Sequence, residues 1–94
     1  MVKRRAPQKS KTEVVVVAGI RTPMTKMGGA FDQLGAVELW AIAACEVLAR
    51  SPVASDLIDQ VIIGNVIQPA DAVNISRVIA LNAGIPRVTP AYTV

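Results

Sequence analysis

Apolar and polar positions are arranged along the chain in blocks that predict alternating strands and helices. A β-branched run at residues 13–18 predicts a strand covered on both faces. Residues 36–50 are rich in Ala, Leu and Glu, which favour a helix. The polar positions of this segment, Glu38, Glu46 and Arg50, recur at multiples of four and form one narrow stripe. Because its other positions are apolar, we expect this helix to be buried over most of its surface.

The second half of the chain predicts a further strand and a further helix. Residues 60–64 form a short apolar run of the kind found in buried strands. Asn74 is a suitable N-cap for a helix over residues 75–83, and Gly84 followed by Pro86 predicts where that helix ends. The intervening segments are rich in Gly, Pro, Asn and Asp and are expected to be loops.

The last six residues, 89–94, predict the opening of a third strand after a proline. The backbone groups of a strand need hydrogen-bonding partners, so we expect this chain to be the front piece of a longer protein. The order strand, helix, strand, helix, strand predicts an α/β layered fold with parallel strands.

The composition indicates more apolar surface than a chain of this size is expected to bury by itself. The 94 residues are 52% hydrophobic, with one Phe, one Trp and one Tyr, and their mean hydropathy is +0.45. No uncharged apolar run approaches the ~20 residues that a membrane-spanning helix requires. We therefore expect no membrane span, and we interpret the hydrophobicity as surface that packs against protein outside this chain.

The positive charge is concentrated at the start of the chain. Residues 1–12 carry five bases and no acid, whereas residues 13–94 carry five bases and seven acids. A disordered, solvated basic tail over residues 1–12 is the favoured interpretation, with a nucleic-acid-binding arm or an organelle presequence as alternatives. Because aromatic residues that could stack on bases are almost absent, we expect no nucleic-acid partner.

The chain has one cysteine and no histidine. A single cysteine excludes an internal disulfide framework and fits a reducing compartment, so we expect a cytoplasmic location, or an organellar matrix in a eukaryote. Cys45 lies in the middle of the first predicted helix without a base, which predicts a buried, unreactive side chain. Asp56 and Asp59 have neither a histidine nor a third carboxylate nearby in sequence, so no metal site is expected.

Five short segments, in this order and spacing, resemble the opening of thiolases. They are residues 16–23 (VVAGIRTP), 26–31 (KMGGAF), 61–68 (VIIGNVIQ), 74–77 (NISR) and 90–94 (PAYTV). In the fourth segment, Ser76 stands where the Asn-x-Ala-Arg motif of the family usually has Ala. The likeness covers residues 13–94, all of the chain except the basic tail.

The resemblance implies the start of the N-terminal domain of a layered αβαβα fold, truncated before the nucleophile. It implies acyl transfer between coenzyme A thioesters, by thiolytic cleavage of 3-ketoacyl-CoA or by the reverse Claisen condensation. In the family a cysteine thiolate at a helix N-terminus, a few residues after the strand begun here, takes the acyl group. Coenzyme A enters as part of the substrate, no separate cofactor is implied, and family members form dimers or tetramers.

On this interpretation none of the 94 residues is catalytic, because the second cysteine and the histidines of the family lie further along the chain. The isolated chain is therefore expected to be inactive. Four residues are candidates for structural support or a subunit contact: Arg21, Asn65, Asn74 and Arg77.

Each of these four residues also has a plainer interpretation. Arg21 could be a solvated loop charge, and Asn65 could end a strand rather than lie near the active site. Asn74 is accounted for as an N-cap. Arg77, a cation in a first helical turn, opposes the helix dipole, so we expect a specific acceptor in a neighbouring loop carbonyl or a partner subunit.

Three alternatives to a thiolase stay open at this point. The first is a non-thiolytic relative of the same superfamily, a condensing enzyme or a carrier-type protein. The second is a basic-tailed module associated with nucleic acid, which would bind with a steep salt dependence. The third is a truncated reading frame without a function of its own. His and Cys motifs later in the gene would separate the first of these from a thiolase.

Overall fold

The computed structural model describes residues 12–94, which fold into an α/β arrangement. In chain order the elements are helix α1 (Ala36–Arg50), a single 3₁₀ turn (Ser55–Leu57), strand β1 (Val61–Ile63), helix α2 (Ile75–Asn82) and strand β2 (Ala91–Thr93). The predicted basic tail, residues 1–12, lies outside the described residues except for Thr12.

Strands β1 and β2 form a parallel two-stranded sheet, as the order of predicted elements indicated. Val61 is opposite Ala91, and Ile63 is opposite Thr93. The ladder continues past both strand ends, because the Val61 amide donates to the Pro90 carbonyl and the Val94 amide donates to the Ile63 carbonyl, each at 2.9 Å. Helix α2 connects the two strands, as parallel pairing requires of a crossover.

Helix α1 has the bounds that its sequence predicts, and local capping explains them. The Gly35 amide donates to the Glu38 carboxylate at 2.6 Å, which satisfies one donor before the first turn. At the other end the Ser51 amide donates to the Val47 carbonyl at 2.9 Å before Pro52 stops the helix. No helix among residues 12–94 combines the length and the apolar character of a membrane span.

Helix α1 is only partly buried within the part of the chain that the structure describes, and burial of its other apolar positions against protein outside residues 12–94 stays a prediction. None of its residues is fully buried, and Trp40 and Ile42 keep 39% and 56% of their surface exposed. The reason is that α1 packs on one side only, with Val37 and Ala44 against the core. Its other apolar side chains are partly buried or exposed within residues 12–94.

The core lies between the inner faces of α2, β1 and α1. Ile75 and Ile79 are almost completely buried, and Ile63 and Ala72 pack with them. These two isoleucines are four residues apart on one face of α2, as its periodicity predicts. The helix ends at Asn82, and Gly84, just after the C-cap residue, adopts a positive φ of 84°.

The geometry at the end of α2 is a Schellman motif. The Ile85 amide donates to the Ala80 carbonyl at 3.0 Å, and the Gly84 amide donates to the Leu81 carbonyl at 3.2 Å. The left-handed backbone of Gly84 makes this pair of bonds accessible without a Cβ penalty. The Gly-Pro stop signal of the sequence is thereby confirmed.

The strand predicted at residues 13–18 is absent. This segment has no regular structure, and Val14 and Val16 are 93% and 92% exposed. Strand structure depends on a partner that supplies backbone hydrogen bonds, and no strand among residues 12–94 pairs with this segment. β-branched residues favour strand structure, but a strand forms only where a partner strand pairs with it.

Candidate functional site

The polar side chains at the start of α2 reach across to strand β2. The Asn74 Nδ2 donates to the Ala91 carbonyl at 3.1 Å, and the Ser76 Oγ donates to the Tyr92 carbonyl at 2.6 Å. The Thr93 hydroxyl lies 3.0 Å from the Ser76 hydroxyl and donates to the Asn74 Oδ1 at 3.1 Å. We call these five residues the α2–β2 junction.

Arg77 extends the same set of contacts into the loop before β2. Its Nη2 donates to the Thr89 carbonyl at 2.8 Å and its Nη1 donates to the Arg87 carbonyl at 3.3 Å. The sequence predicted an acceptor for this cation because a positive charge in a first turn opposes the helix dipole. The structure provides two loop carbonyls within residues 12–94.

The role of Asn74 differs from the one that its sequence position predicts. Asn74 is the N-cap residue of α2, but its side chain makes no capping hydrogen bond. Instead, the Ser76 amide donates to the Thr93 Oγ1 at 3.4 Å. The hydroxyl that accepts from the first turn therefore comes from β2, 17 residues away, and the Asn74 carboxamide is directed to the strand.

The alternating direction of backbone groups along β2 explains why the Asn74 side chain contacts the Ala91 carbonyl. The carbonyls of Pro90 and Val94 accept amides from the β1 side, at 2.9 Å each. Backbone groups alternate in direction along a strand. The Ala91 carbonyl therefore points to the opposite edge of β2, where no strand within residues 12–94 pairs with it. The Asn74 side-chain amide donates to this carbonyl instead.

Ser76 in the junction and Thr89 beside it are buried polar side chains with hydrogen-bonding partners. Ser76 has no exposed surface, and Thr89 is 5% exposed. The Thr89 hydroxyl donates to the Ile58 carbonyl at 3.3 Å. Sequence reasoning did not select Ser76 as a site residue, although it noted that Ser76 replaces a smaller residue. A buried hydroxyl in the first turn of a helix needs an acceptor, and that requirement is the signal that could have identified it.

Asn65 lies at the carboxyl end of the sheet, close to the junction but not part of it. Its amide donates to the Val94 carbonyl at 2.9 Å, and its Nδ2 donates to the Ile67 carbonyl at 2.8 Å. The side chain thus closes the turn after β1. Asn65 thus lies beyond the carboxyl ends of the strands, the side of open α/β sheets on which ligands generally bind.

Arg21 lies apart from the other three predicted residues. Its Nη1 donates to the neighbouring Thr22 carbonyl at 3.1 Å, and its side chain is exposed. It lines an apolar groove between its own loop and the first turns of α1, together with Leu39 and Trp40. The structure therefore brings Asn74 and Arg77 together and leaves Arg21 at a separate surface.

Cys45 is exposed on α1, so the expectation that it is buried is wrong. Its exposure follows from the one-sided packing of α1. The thiol is in mid-helix rather than at a helix N-terminus, and the sequence contains no histidine to act as its base. Within residues 12–94 no group of three or more His, Cys, Asp or Glu residues could hold a metal ion.

The junction can therefore hold a backbone in place, but it carries no nucleophile and base of its own. Together with the Arg77 guanidinium, its amide and hydroxyl donors bind carbonyls of residues 87–92 and two side-chain oxygens of the junction. Hydrogen bonds of this kind contribute about 1 kcal/mol each to stability, and more when the donor is charged. The arrangement fixes the direction in which the chain leaves β2.

Comparison with known proteins identifies close relatives of the chain. The family described as "Thiolase, N-terminal domain" matches residues 14–94. The 3-ketoacyl-CoA thiolase of Yersinia pestis (strain Pestoides F) is 44% identical over 81 residues, which cover 86% of this chain and 19% of the relative. The same values hold for the 3-ketoacyl-CoA thiolase of Yersinia pseudotuberculosis serotype O:1b (strain IP 31758).

A solved structure shows the same fold. The crystal structure of the Bacillus anthracis acetyl-CoA acetyltransferase matches with a TM-score of 0.80 and 36% sequence identity. The match covers 85% of this chain and 20% of that protein. The chain thus spans about a fifth of the length of the relatives it matches.

Proposed function

The chain belongs to the thiolase family, and we propose that its residues form the first part of an enzyme that transfers acyl groups between coenzyme A thioesters. The reaction is thiolytic cleavage of a 3-ketoacyl-CoA or the reverse Claisen condensation. The observation that supports this proposal most directly is the continuous match over residues 14–94, which includes the α2–β2 junction.

The proposed cleavage has two half-reactions. A cysteine thiolate attacks the 3-keto carbon, and the bond between C2 and C3 breaks. The acyl group stays on the sulfur as a thioester, and the departing enolate of acetyl-CoA takes up one proton. The thiolate of free coenzyme A then attacks the acyl-enzyme, releases the shortened acyl-CoA and restores the cysteine thiolate. Dividing the exchange through a covalent thioester replaces one difficult step by two easier ones.

In this proposal the 94 residues support the nucleophile rather than supply it. We propose that the cysteine follows β2 closely, at a helix N-terminus that favours a thiolate, as the family resemblance implies. The α2–β2 junction fixes the backbone of Ala91 and Tyr92 directly before that point. The exposed apolar side of α1 and the exposed Val14 and Val16 are then surfaces for the rest of the enzyme or for a second subunit.

We also propose the partners that accompany this activity. They are acyl-CoA and coenzyme A as substrates, and a second copy of the protein in a homodimer or homotetramer. A cytoplasmic location is proposed on the chemistry of the single cysteine, because thiol-dependent catalysis and an unpaired cysteine both suit a reducing compartment.

The complete product of the gene that encodes this chain is expected to catalyse thiolysis. The assay supplies a 3-ketoacyl-CoA and free coenzyme A and measures the formation of acetyl-CoA, with omission of coenzyme A as the control. Iodoacetamide should abolish turnover, because alkylation removes the thiolate. A product that condenses acyl groups but cleaves none, or one that turns over neither, would assign the protein to a non-thiolytic branch and contradict the proposal.

Arg77→Ala in the complete gene product is expected to lower activity or disrupt assembly. The change removes two charge-assisted donors from the Arg87 and Thr89 carbonyls. Each such bond contributes about 1.5–3 kcal/mol. Turnover and the sedimentation coefficient are measured together.

The matched control is Arg50→Ala, since Arg50 forms an exposed ion pair with Glu46 at 2.7 Å. Exposed pairs of this kind contribute less than about 1 kcal/mol, so this variant should retain activity and assembly. Arg77→Lys should fail to rescue, because an ammonium group lacks the planar fork that reaches two carbonyls. If Arg77→Ala retained both activity and assembly, the supporting role proposed for Arg77 would be refuted.

A further inference from the structure

We propose that Thr93 caps helix α2 from strand β2 and, with Ser76, is a positioning pair for the residues that follow Thr93. The functional part of this inference rests on the proposed function, because it assumes that the nucleophile follows β2. Its structural part stands on the hydrogen bonds of the α2–β2 junction alone.

The protons of the junction can be assigned by counting donors. Ser76 Oγ has one hydrogen, and the short 2.6 Å distance assigns it to the Tyr92 carbonyl. Thr93 Oγ1 then accepts from the Ser76 amide and donates its own hydrogen to the Asn74 Oδ1. The Asn74 Nδ2 in turn donates to the Ala91 carbonyl. This series of hydrogen bonds fixes the orientation of the Asn74 carboxamide, with Nδ2 toward the Ala91 carbonyl and Oδ1 toward Thr93.

In this arrangement a residue of β2, rather than the N-cap residue of α2, accepts a hydrogen bond from the first turn of the helix. The first four amides of a helix lack intrahelical acceptors. Ser76 is the second residue of α2, and an N-cap side chain would normally accept from its amide. Here Thr93 accepts in its place, because the Asn74 side chain is already engaged at the outer edge of β2.

The consequence concerns the rotamer and backbone of Thr93. Its hydroxyl is held by the N-cap residue Asn74 and by the Ser76 amide of α2, and the carbonyl before it is held by the Ser76 hydroxyl. The chain therefore leaves β2 in one direction relative to α2. A displacement of about 1 Å at a reacting group can reduce turnover by about 100-fold, so a fixed direction here bears on the chemistry that follows.

The test is Thr93→Val in the complete gene product, a near-isosteric change that removes the hydroxyl. Amide hydrogen exchange is measured at single-residue resolution. The Ser76 amide should exchange about tenfold faster, because it loses its acceptor. The Ala83 amide, which donates to the Ile79 carbonyl at 2.9 Å at the other end of α2, should be unchanged. Thr93→Ser keeps the hydroxyl and should restore the slow exchange of Ser76.

Two exchange outcomes would overturn the inference. One is an unchanged Ser76 amide in Thr93→Val. The other is an equal acceleration of the Ser76 and Ala83 amides, which would mean that the contact has no local effect. Should Thr93→Val not accumulate as folded protein, Ser76→Ala serves instead. It should accelerate the Val94 amide, which lies one peptide unit beyond the released Tyr92 carbonyl and donates to the Ile63 carbonyl, about fivefold, and no acceleration would overturn the inference.

Turnover of the same samples separates this inference from the proposed function. If the wild type transfers acyl groups, kcat of Thr93→Val should fall by between about tenfold and 100-fold with little change in KM, and Thr93→Ser should recover it. Thr89→Val, which removes a hydroxyl bond to the Ile58 carbonyl, controls for lost stability. A wild type without acyl transfer would contradict the proposed function, whereas an unchanged kcat in Thr93→Val would contradict the positioning role.

Discussion

The 94-residue chain, purified alone, is expected to show no thiolytic turnover. Its sequence has no histidine and one cysteine, and that cysteine is exposed in mid-helix. Neither an activating base nor a helix N-terminus is available to this thiol. Loss of a nucleophile reduces kcat by about 10⁶-fold in well-studied hydrolases, which would place the isolated chain at the background rate. Formation of acetyl-CoA from a 3-ketoacyl-CoA and coenzyme A is the measurement.

The control for this prediction is Cys45→Ser in the same isolated chain. Trace contamination by a host thiolase would give equal turnover in both samples. Turnover in the wild type that disappears in Cys45→Ser would identify Cys45 as the nucleophile. That result would refute the support role proposed for these residues.

The isolated chain is also expected to bind a fluorescent apolar dye strongly and to melt without a sharp cooperative transition. Six apolar residues are fully buried among those that the structure describes. They are Ile63, Ala72, Ile75, Ile79, Ala80 and Ile85. Helix α1 contributes none. The apolar residues of α1 thus stay partly exposed, and large contiguous exposed apolar surfaces promote association and loose packing. Dye fluorescence and the near-ultraviolet circular dichroism of Trp40 and Tyr92 during heating are the measurements.

The comparison sample is the complete gene product at equal molar concentration. Its dye fluorescence should be several-fold lower, because the apolar side of α1 is then covered. Replacing Val14 and Val16 by Thr in the isolated chain should reduce dye binding, since both side chains are almost fully exposed. A single sharp melt of the isolated chain with little dye binding would show that the 94 residues fold independently.

Local signals in the sequence were sufficient for the helices and for the parallel pair of strands. The bounds of α1 follow from Glu38 near its start and Pro52 after its end. The end of α2 follows from Gly84, whose positive φ few other residues tolerate. Each of these signals acts over a few residues, so it can be read without knowledge of the tertiary structure.

Burial, and the absence of a partner strand for residues 13–18, could not be predicted in the same way. Residues 13–18 have a strong strand preference and no strand structure, and Cys45 is exposed although the positions three and four residues away on α1 are apolar. Both properties depend on which surfaces lie opposite in space. An apolar stripe shows which surface of a segment can be buried. Whether that surface is buried depends on the protein that packs against it.

The sequence could likewise predict only part of the candidate site. The conflict between Arg77 and the helix dipole indicated that the guanidinium needs an acceptor, and two carbonyls of the following loop accept from it. The contact between Ser76 and Thr93 joins residues 17 positions apart. No periodicity or capping rule predicts which strand residue meets a helix start, because the register of β2 beside α2 is set by the whole sheet.

The Asn74 carboxamide has a consequence for self-association. By binding the Ala91 carbonyl, it blocks part of the outer margin of β2, where another molecule could otherwise add a strand. Fibril growth from this margin would have to break that bond first. Residues 13–18 have no comparable protection and are exposed, so cross-β aggregation of the isolated chain should begin there.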